Sequence, residues 1–282
     1  MKNYLELLSK VLNEGDVRED RTGVGTLSLF GEQLKYDLGK GFPAVTTKRL
    51  AWRAVVSELL WFLEGSSDER RLAEILHGTR DARKNTIWTA NANADYWKPK
   101  ARYEGDLGRV YGVQWRHWKT SKGYKTVDQV QTLIDGLKND PQGRRHILTA
   151  WNPGELDQMA LPPCHMFAQF YVTNENKLSC LMHQRSCDMF LGVPFNIASY
   201  SLLTHILARE CNLGVGDFIW SGGDCHIYTN HVDAVRQQLI RTTRALPVLC
   251  IREDRSLGDY EVDDFKLIGY DPHDSIKADM AV

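Results

Sequence analysis

A cysteine beside a histidine, directly after two prolines, is the part of this sequence best suited to covalent chemistry. The segment reads Leu161-Pro162-Pro163-Cys164-His165 and leads into a predicted strand. A buried cysteine is usually an inert packing residue, because the thiolate is the reactive form. The predicted hairpin brings Arg185 of Gln184-Arg185-Ser186 towards Cys164, and a nearby positive charge lowers the pKa of a thiol. We therefore expect Cys164 to attack a substrate that carries negative charge.

A single glutamate interrupts an apolar helix. Residues 51–63 predict a helix that is hydrophobic on nearly all sides, and Glu58 stands among Val55, Val56 and Leu59. Burial disfavours the ionised carboxylate and raises its pKa, which would make Glu58 a proton carrier near neutral pH. A glutamate at the helix edge, or one paired with an arginine, is the alternative interpretation.

Arginines occur in three tight contexts that suit a phosphate group. These are Asp20-Arg21-Thr22-Gly23, Gly143-Arg144-Arg145 and Gln184-Arg185-Ser186. Guanidinium groups next to a serine hydroxyl match a phosphate dianion, although any one of them could simply face solvent. The glycine-rich Ser221-Gly222-Gly223-Asp224 matches neither a P-loop nor a dinucleotide-binding fingerprint. These observations disfavour a nucleoside triphosphatase and a Rossmann oxidoreductase.

Composition excludes several broad classes. The chain has 282 residues, of which 43% are hydrophobic and 25% charged, so it is neither disordered nor a disulfide miniprotein. Its net charge of -1 gives no general attraction to nucleic acid or an anionic membrane. The longest apolar stretches, such as Ala54–Leu63, are too short to span a bilayer, so we expect a cytoplasmic protein without a membrane partner. The six cysteines show no zinc-site spacing, so we expect no metal.

Helices and strands alternate irregularly along the chain. Hydrophobic periodicity predicts helices over about 4–14, 51–63 and 197–211, and one that opens with a capping box at Thr126-Val127-Asp128-Gln129 and ends at Asn139. Strands are predicted over about 27–38, 147–151, 167–172 and 178–182. This order favours one layered α+β domain over residues 1–282, with a mixed, largely antiparallel sheet, a long central helix and a lid or insertion at about 66–105.

Three motifs resemble the active-site signatures of the thymidylate synthase family. They are Pro163-Cys164-His165, Gln184-Arg185-Ser186-Cys187-Asp188, and the run Leu191-Gly192-Val193-Pro194-Phe195-Asn196-Ile197-Ala198-Ser199-Tyr200. The similarity extends from Asp20–Gly25 to Gly269–Val282. It implies a homodimer packed through its sheets, which methylates dUMP reductively with methylenetetrahydrofolate as co-substrate.

The resemblance implies a catalytic role for each of five residues. Cys164 would add to carbon 6 of the pyrimidine and make carbon 5 nucleophilic. Glu58 would move protons through ordered water, Tyr111 would help remove the carbon 5 proton, and His165 would order the water network. Asn196 would read the uracil edge, because its amide accepts from the ring N–H and donates to the adjacent carbonyl.

The resemblance also implies which residues bind the ligands. The phosphate would be held by Arg21, Arg185 and Ser186, with Arg144 and Arg145 supplied by the partner subunit. The deoxyribose hydroxyl would be contacted by His226 and Tyr228. The folate pocket would be lined by Trp88, Asp188, Leu191 and Val282, with Asp188 also bordering the nucleotide and Lys48 near the glutamyl tail. Trp88 and Leu191 as core residues, and His226 as a turn histidine, are the plainer interpretations.

The sequence departs from the family pattern at three positions expected to flank the pterin or nucleotide pocket. Thr89 stands where an aspartate is common, Arg109 replaces the proline of a usual Gly-Pro-Val-Tyr-Gly, and His183 replaces a common tyrosine. Polar groups at these positions could admit or order a water, which would then complete the reaction in place of hydride. A deoxyuridylate hydroxymethylase is therefore one alternative, and an inactive RNA- or protein-binding scaffold is the other. The near-zero net charge makes nucleic acid an improbable partner.

Overall fold

The computed structural model of the protein describes residues 1–19, 23–123 and 125–279. The helices are α1 (Lys2–Glu14), α2 (Trp52–Leu63), α3 (Glu69–His77), α4 (Thr89–Ala92), α5 (Tyr111–Arg116), α6 (Gln129–Asn139), α7 (Gly192–Glu210) and α8 (Val232–Leu239). The strands are β1 (Asp16–Arg18), β2 (Thr26–Asp37), β3 (Trp118–Lys119), β4 (Thr126–Val127), β5 (Ile147–Thr149), β6 (His165–Val172), β7 (Lys177–Asp188), β8 (Gly214–Tyr228), β9 (Val248–Ile251) and β10 (Phe265–Ile268).

One large sheet organises the molecule. Within the described ranges it has six strands in the order β1-β2-β8-β7-β6-β5. Neighbouring strands are antiparallel except β7 and β8, which run parallel. A parallel pair needs a long crossover, and α7 supplies it here. The predicted α+β fold with a mixed, largely antiparallel sheet and a long helix is confirmed.

Two helices pack into the core on one side of this sheet. α7 contacts β7, β8 and α2, and Val193, Ile197 and Leu202 on it are fully buried. α2 is also buried along most of its length, from Val55 to Leu63. Glu58 is therefore carried into the interior because the apolar side chains around it have to be covered. In the described part of the chain, every helix lacks either the length or the hydrophobicity of a membrane-spanning segment.

The opposite face of the sheet is partly open and carries apolar side chains. One row across the strands runs through Ile147, Gln169, Leu181 and Ile219, which are successive register partners. Ile147 is 45% exposed, and Tyr171, two residues beyond Gln169 on the same face, is 61% exposed. Exposed apolar side chains therefore lie together on this face of the sheet.

Several local predictions are confirmed, and two need correction. The helix predicted to open at Thr126 has its N-cap two residues later, at Asp128, which accepts the N–H of Gln131, while Thr126 lies in β4. The helix predicted from Ile197 begins at Gly192, since Pro194 is tolerated in a first turn.

The Gly222-Gly223 pair lies within strand β8. A Cβ on Gly223 would approach the Arg185 carbonyl oxygen to 2.9 Å, and one on Gly222 would meet the Trp220 ring at 2.2 Å. Gly223 therefore permits the close packing of β8 on β7, whereas Gly222 makes room for the Trp220 ring of its own strand.

Candidate active site

Cys164 lies just before β6, where backbone hydrogen bonds hold it on both sides. Its N–H donates to the Tyr111 hydroxyl at 2.7 Å, and its carbonyl accepts the N–H of Arg185 at 2.8 Å. The residue is partly buried, whereas Cys180, Cys187, Cys211 and Cys225 are buried. The backbone of Cys164 is thus held on both sides, and the residue is less buried than these four cysteines.

The Arg185 side chain wraps around the proline pair that precedes Cys164. Its Nε donates to the Pro163 carbonyl at 2.9 Å and its Nη2 to the Pro162 carbonyl at 3.0 Å. The guanidinium also lies 5.3 Å from the centre of the Trp151 ring. The pairing of β6 with β7 brings this cation to the cysteine segment, as the sequence predicted.

A buried aromatic group surrounds His165. The His165 ring stacks on Tyr111 with centroids 4.1 Å apart, and the His165 Nδ1 lies 2.8 Å from the Tyr200 hydroxyl. Burial lowers the pKa of His165 to about 3, and it raises the pKa values of Tyr111 and Tyr200 well above their usual range. All three groups are therefore neutral at pH 7 and act through hydrogen bonds. The sequence did not single out Tyr200, although it ends the third motif.

Glu58 is buried, as expected, and is paired with an indole. It is 4% exposed, and its Oε1 accepts the Trp88 Nε1–H at 2.7 Å. Burial raises the pKa of Glu58 to about 7, although the hydrogen bond from Trp88 acts in the opposite direction. Trp88 itself packs against Trp61 and Tyr111. A carboxyl group in this setting exists in both protonation states near neutral pH.

Asn196 is oriented by a glutamine that the sequence did not identify. Gln184 donates through Nε2 to the Asn196 Oδ1 at 3.1 Å and to the Ser186 carbonyl at 3.0 Å. Its own Oε1 accepts the Trp220 Nε1–H at 3.0 Å. This chain of hydrogen bonds directs the Asn196 amide nitrogen away from Gln184 and leaves one lone pair on its oxygen.

The turn between β7 and α7 brings Asp188, Leu191 and Lys48 together. Asp188 Oδ1 accepts the N–H groups of Phe190 and Leu191 at 3.0 and 3.1 Å. The Lys48 ammonium donates to the Phe190 carbonyl and lies 3.5 Å from the centre of its ring. Burial lowers the pKa of Lys48 to about 8. Lys48 therefore supports the turn that carries Leu191.

His226 and Tyr228 lie on β8, beside the end of β7. Register pairs Ser186 with Asp224 and Asp188 with His226. The His226 Nδ1 lies 3.2 Å from Asp224 Oδ1, and this hydrogen bond helps to lower the pKa of the Asp224 carboxyl. The rings of His226 and Tyr228 meet edge to face at 5.2 Å. Both side chains thus adjoin the segment that carries Ser186.

A family model described as Thymidylate synthase matches residues 2–282. The chain belongs to the thymidylate synthase family. Membership supports, at the level of the family, a transferase that moves a one-carbon unit from a folate to dUMP. The match spans every motif discussed above.

Two arginines that a thymidylate synthase site would use lie far from Cys164 in this chain. Arg144 and Arg145 are exposed and immediately precede β5, and Ile147 pairs with Gln169. Continuing this register puts Arg145 opposite Tyr171, seven residues along β6 from Cys164. Two further predicted residues, Arg21 and Val282, lie outside the described residues.

The three departures from the thymidylate synthase pattern are held by neighbouring groups. Thr89 donates to Glu69 at 2.6 Å, Arg109 forms an ion pair with Glu155, and His183 lies 3.2 Å from Ser221 on the outward sheet face. Alternation along β7 places the His183 side chain on the opposite face of the strand from Gln184. Among the described residues, no group of three or more His, Cys, Asp or Glu could hold a metal ion.

Proposed function

We propose that the protein transfers the one-carbon unit of methylenetetrahydrofolate to carbon 5 of dUMP and reduces it, giving dTMP and dihydrofolate. The observation that carries the proposal is the convergence of Cys164 and Glu58 on Tyr111. The Tyr111 hydroxyl accepts the Cys164 N–H, and its ring lies 5.8 Å from Trp88, which donates to Glu58. A nucleophile and a carboxyl group that titrates near neutrality thus lie on two sides of one tyrosine.

Cys164 is the proposed nucleophile. Its thiolate forms a bond to carbon 6 of the pyrimidine, and the displaced electron pair makes carbon 5 an enolate-like nucleophile. Uracil alone is too weak a carbon nucleophile for this transfer. The Arg185 guanidinium, fixed on the carbonyls of Pro162 and Pro163, supplies positive charge next to the cysteine segment.

Proton transfers are assigned to Glu58, with Tyr111 and His165 in support. A pKa of about 7 lets Glu58 both donate and accept protons at neutral pH. Tyr111 remains a phenol, since its pKa is raised, so it assists removal of the carbon 5 proton by hydrogen bonding. His165 remains neutral and orders water, because its pKa is lowered to about 3.

Asn196 is proposed to select uracil. Gln184 occupies one lone pair of its Oδ1, so the second lone pair accepts the ring N–H of uracil. The amide N–H then donates to the neighbouring carbonyl. Cytosine presents the reverse pattern of donor and acceptor at this edge, so it pairs poorly with the amide. The deoxyribose hydroxyl is assigned to His226 and Tyr228.

The phosphate site is proposed to be shared between two subunits of a homodimer. Arg21, Arg185 and Ser186 come from one chain, and Arg144 and Arg145 from its partner. Seven residues of strand separate Arg145 from Cys164 along the β5–β6 register, roughly 23 Å at the usual rise per residue. An arginine side chain cannot bridge that span within one chain. The outward sheet face, with Leu181 and Tyr171, is the proposed dimer interface.

The residues assigned to the folate fit a flat, partly apolar ligand with N–H groups. The apolar side chains assigned to the pocket are the buried Trp88 and the partly buried Leu191, and Lys48 supports the turn beneath Leu191. Asp188 uses Oδ1 for the backbone, and its Oδ2 has no hydrogen-bond partner among the described residues, so it can accept from a pterin N–H. Val282 is assigned to cover the pocket. The folate supplies the one-carbon unit and the hydride.

The contacts that Thr89, Arg109 and His183 make favour reduction of the transferred one-carbon unit over its hydration. Thr89 and Arg109 direct their polar groups to Glu69 and Glu155, and His183 faces Ser221. Polar atoms engaged in this way have fewer donors and acceptors left to order a water beside the reacting carbon. A hydroxymethylase would need such a water to attack in place of hydride.

The test is mass analysis of the nucleotide formed from dUMP and methylenetetrahydrofolate. Formation of dTMP and dihydrofolate supports the proposal, and 5-hydroxymethyl-dUMP with tetrahydrofolate would make the protein a hydroxymethylase. Absence of turnover together with single-stranded RNA binding would favour the scaffold. The variant Cys164→Ser tests the nucleophile in the same assay. Its matched control is Cys250→Ser, which removes an exposed thiol on β9 and should keep turnover.

A further inference from the structure

A buried carboxylate at the start of α3 collects hydrogen bonds from the segment that carries Trp88. Glu69 is 2% exposed and is paired with Arg70, whose Nε donates to Oε2 at 2.6 Å. Its Oε1 accepts the hydroxyl protons of Thr86 at 2.7 Å and Thr89 at 2.6 Å. A charged acceptor makes such hydrogen bonds shorter and stronger than neutral ones.

Both threonine hydroxyls are fixed by what they accept as well as by what they donate. Thr86 Oγ1 accepts the backbone N–H of Trp88 at 3.1 Å, and Thr89 Oγ1 accepts the backbone N–H of Thr86 at 2.8 Å. Each hydroxyl has one proton, and each gives it to Glu69. The three polar side chains therefore hold the backbone on both sides of Trp88.

We propose that Glu69 is a positioning residue which, through Thr86 and Thr89, holds the Trp88 indole against Glu58 and so sets the proton affinity of Glu58. The inference rests on the proposed function, in which Glu58 moves protons. Glu69 itself touches no reacting atom, because the chain of contacts runs from its carboxylate to the threonines, then to Trp88, and from the indole N–H to Glu58.

The expected effect on Glu58 has a definite sign. The indole N–H stabilises the ionised carboxylate, whereas burial destabilises it. The other titratable groups facing Glu58 are Tyr111 and Tyr200, on α5 and α7, and both stay neutral because their pKa values are raised. Loosening Trp88 therefore removes a contact that favours the charged form, and the pKa of Glu58 rises.

The test compares Thr86→Val/Thr89→Val with Thr86→Ser/Thr89→Ser. Valine keeps the shape and removes the hydroxyls, whereas serine restores them. We expect the valine pair to lower kcat about tenfold and to move the Glu58 limb of the pH profile upward by about one unit, as expected for loss of one hydrogen bond to a charged group. The serine pair should recover both. Glu69→Gln should shift the limb in the same direction, because it removes the charge that the hydroxyls and Arg70 contact.

Thr79→Val is the matched control, because Thr79 accepts the Asp81 N–H in the same segment without contacting Glu69. A second readout needs no turnover: the Trp88 indole 1H–15N resonance, assigned with Trp88→Phe, should titrate with Glu58, and its midpoint should rise in the valine pair. An unchanged midpoint and pH limb in a folded valine pair would overturn the positioning role even if the wild type makes dTMP. A wild type without turnover would refute the proposed function, whereas a raised midpoint would still support the role of Glu69.

Discussion

Complementation between two inactive variants tests the shared phosphate site most directly. One variant is Cys164→Ser, which lacks the nucleophile, and the other is Arg145→Glu, which places a negative charge where the phosphate is proposed to bind. Arg145 lies opposite Tyr171 by register, roughly 23 Å along β6 from Cys164 of the same chain. Each variant alone should therefore be inactive. In the first variant the site lacks its nucleophile, and in the second it lacks the arginine that the partner subunit supplies.

The magnitude of the recovery follows from symmetry. Random exchange of equal amounts yields about one half heterodimers, and each heterodimer has one site with both lesions and one with neither. About one quarter of all sites are then intact, so activity should recover to about 25% of wild type. The assay is dTMP formation before and after the mixed subunits are dissociated and reassociated.

The control is a mixture of Cys164→Ser with Cys164→Ser/Arg145→Glu. Its dimers contain no functional nucleophile, so no activity should return. No recovery in the first mixture, with heterodimers demonstrated by mass, would refute the shared site. A fully active monomer in solution would refute the dimer as well.

The remaining predictions concern single residues. Cys164→Ser should lower turnover by several orders of magnitude and leave dUMP binding nearly unchanged, as measured by calorimetry, since the phosphate contacts and Asn196 do not depend on the thiol; substantial residual turnover would contradict the assignment of the nucleophile. Asn196→Asp should relax discrimination against dCMP, because a carboxyl group changes the donor and acceptor pattern at the base edge; competition kinetics with an unchanged preference for dUMP would exclude this role. Glu58→Gln should abolish turnover and stabilise the fold at pH 8 by about 3 kcal/mol, as measured by urea unfolding. The sign follows because the pKa of Glu58 in the folded protein is raised to about 7. Such a carboxyl contributes stability that is fully present below its unfolded pKa and is lost as pH rises through 7. Equal stability of wild type and Glu58→Gln at pH 8 would contradict the burial argument.

Short-range patterns predicted the elements whose side chains repeat within a few residues. The helices α1, α2 and α6 follow from apolar residues at helical spacing, because the same period that forms the helix also forms its buried face. Strand β8 is different. Its Gly222-Gly223 pair is typical of a turn, and only the packing explains the two glycines, because the Trp220 ring lies against Gly222 and the Arg185 backbone of β7 lies against Gly223.

The sequence by itself determined the chemistry available to this protein. The proline-flanked Cys164, the glutamate within an apolar helix and the grouped arginines predict a nucleophile, a proton carrier and phosphate ligands from residue type and immediate neighbours alone. The burial of Glu58 followed from the same pattern, because the helix around it is apolar on nearly all sides.

Only the tertiary structure decided which residues orient these groups. Tyr200 reaches His165 across 35 positions, and Trp220 reaches Gln184 across 36. Glu69 meets Thr89 from a different helix, 20 positions away. Such hydrogen bonds depend on how helices and strands pack. Local periodicity does not encode them, because the sequence neighbours of a polar side chain are the same whichever distant residue it contacts.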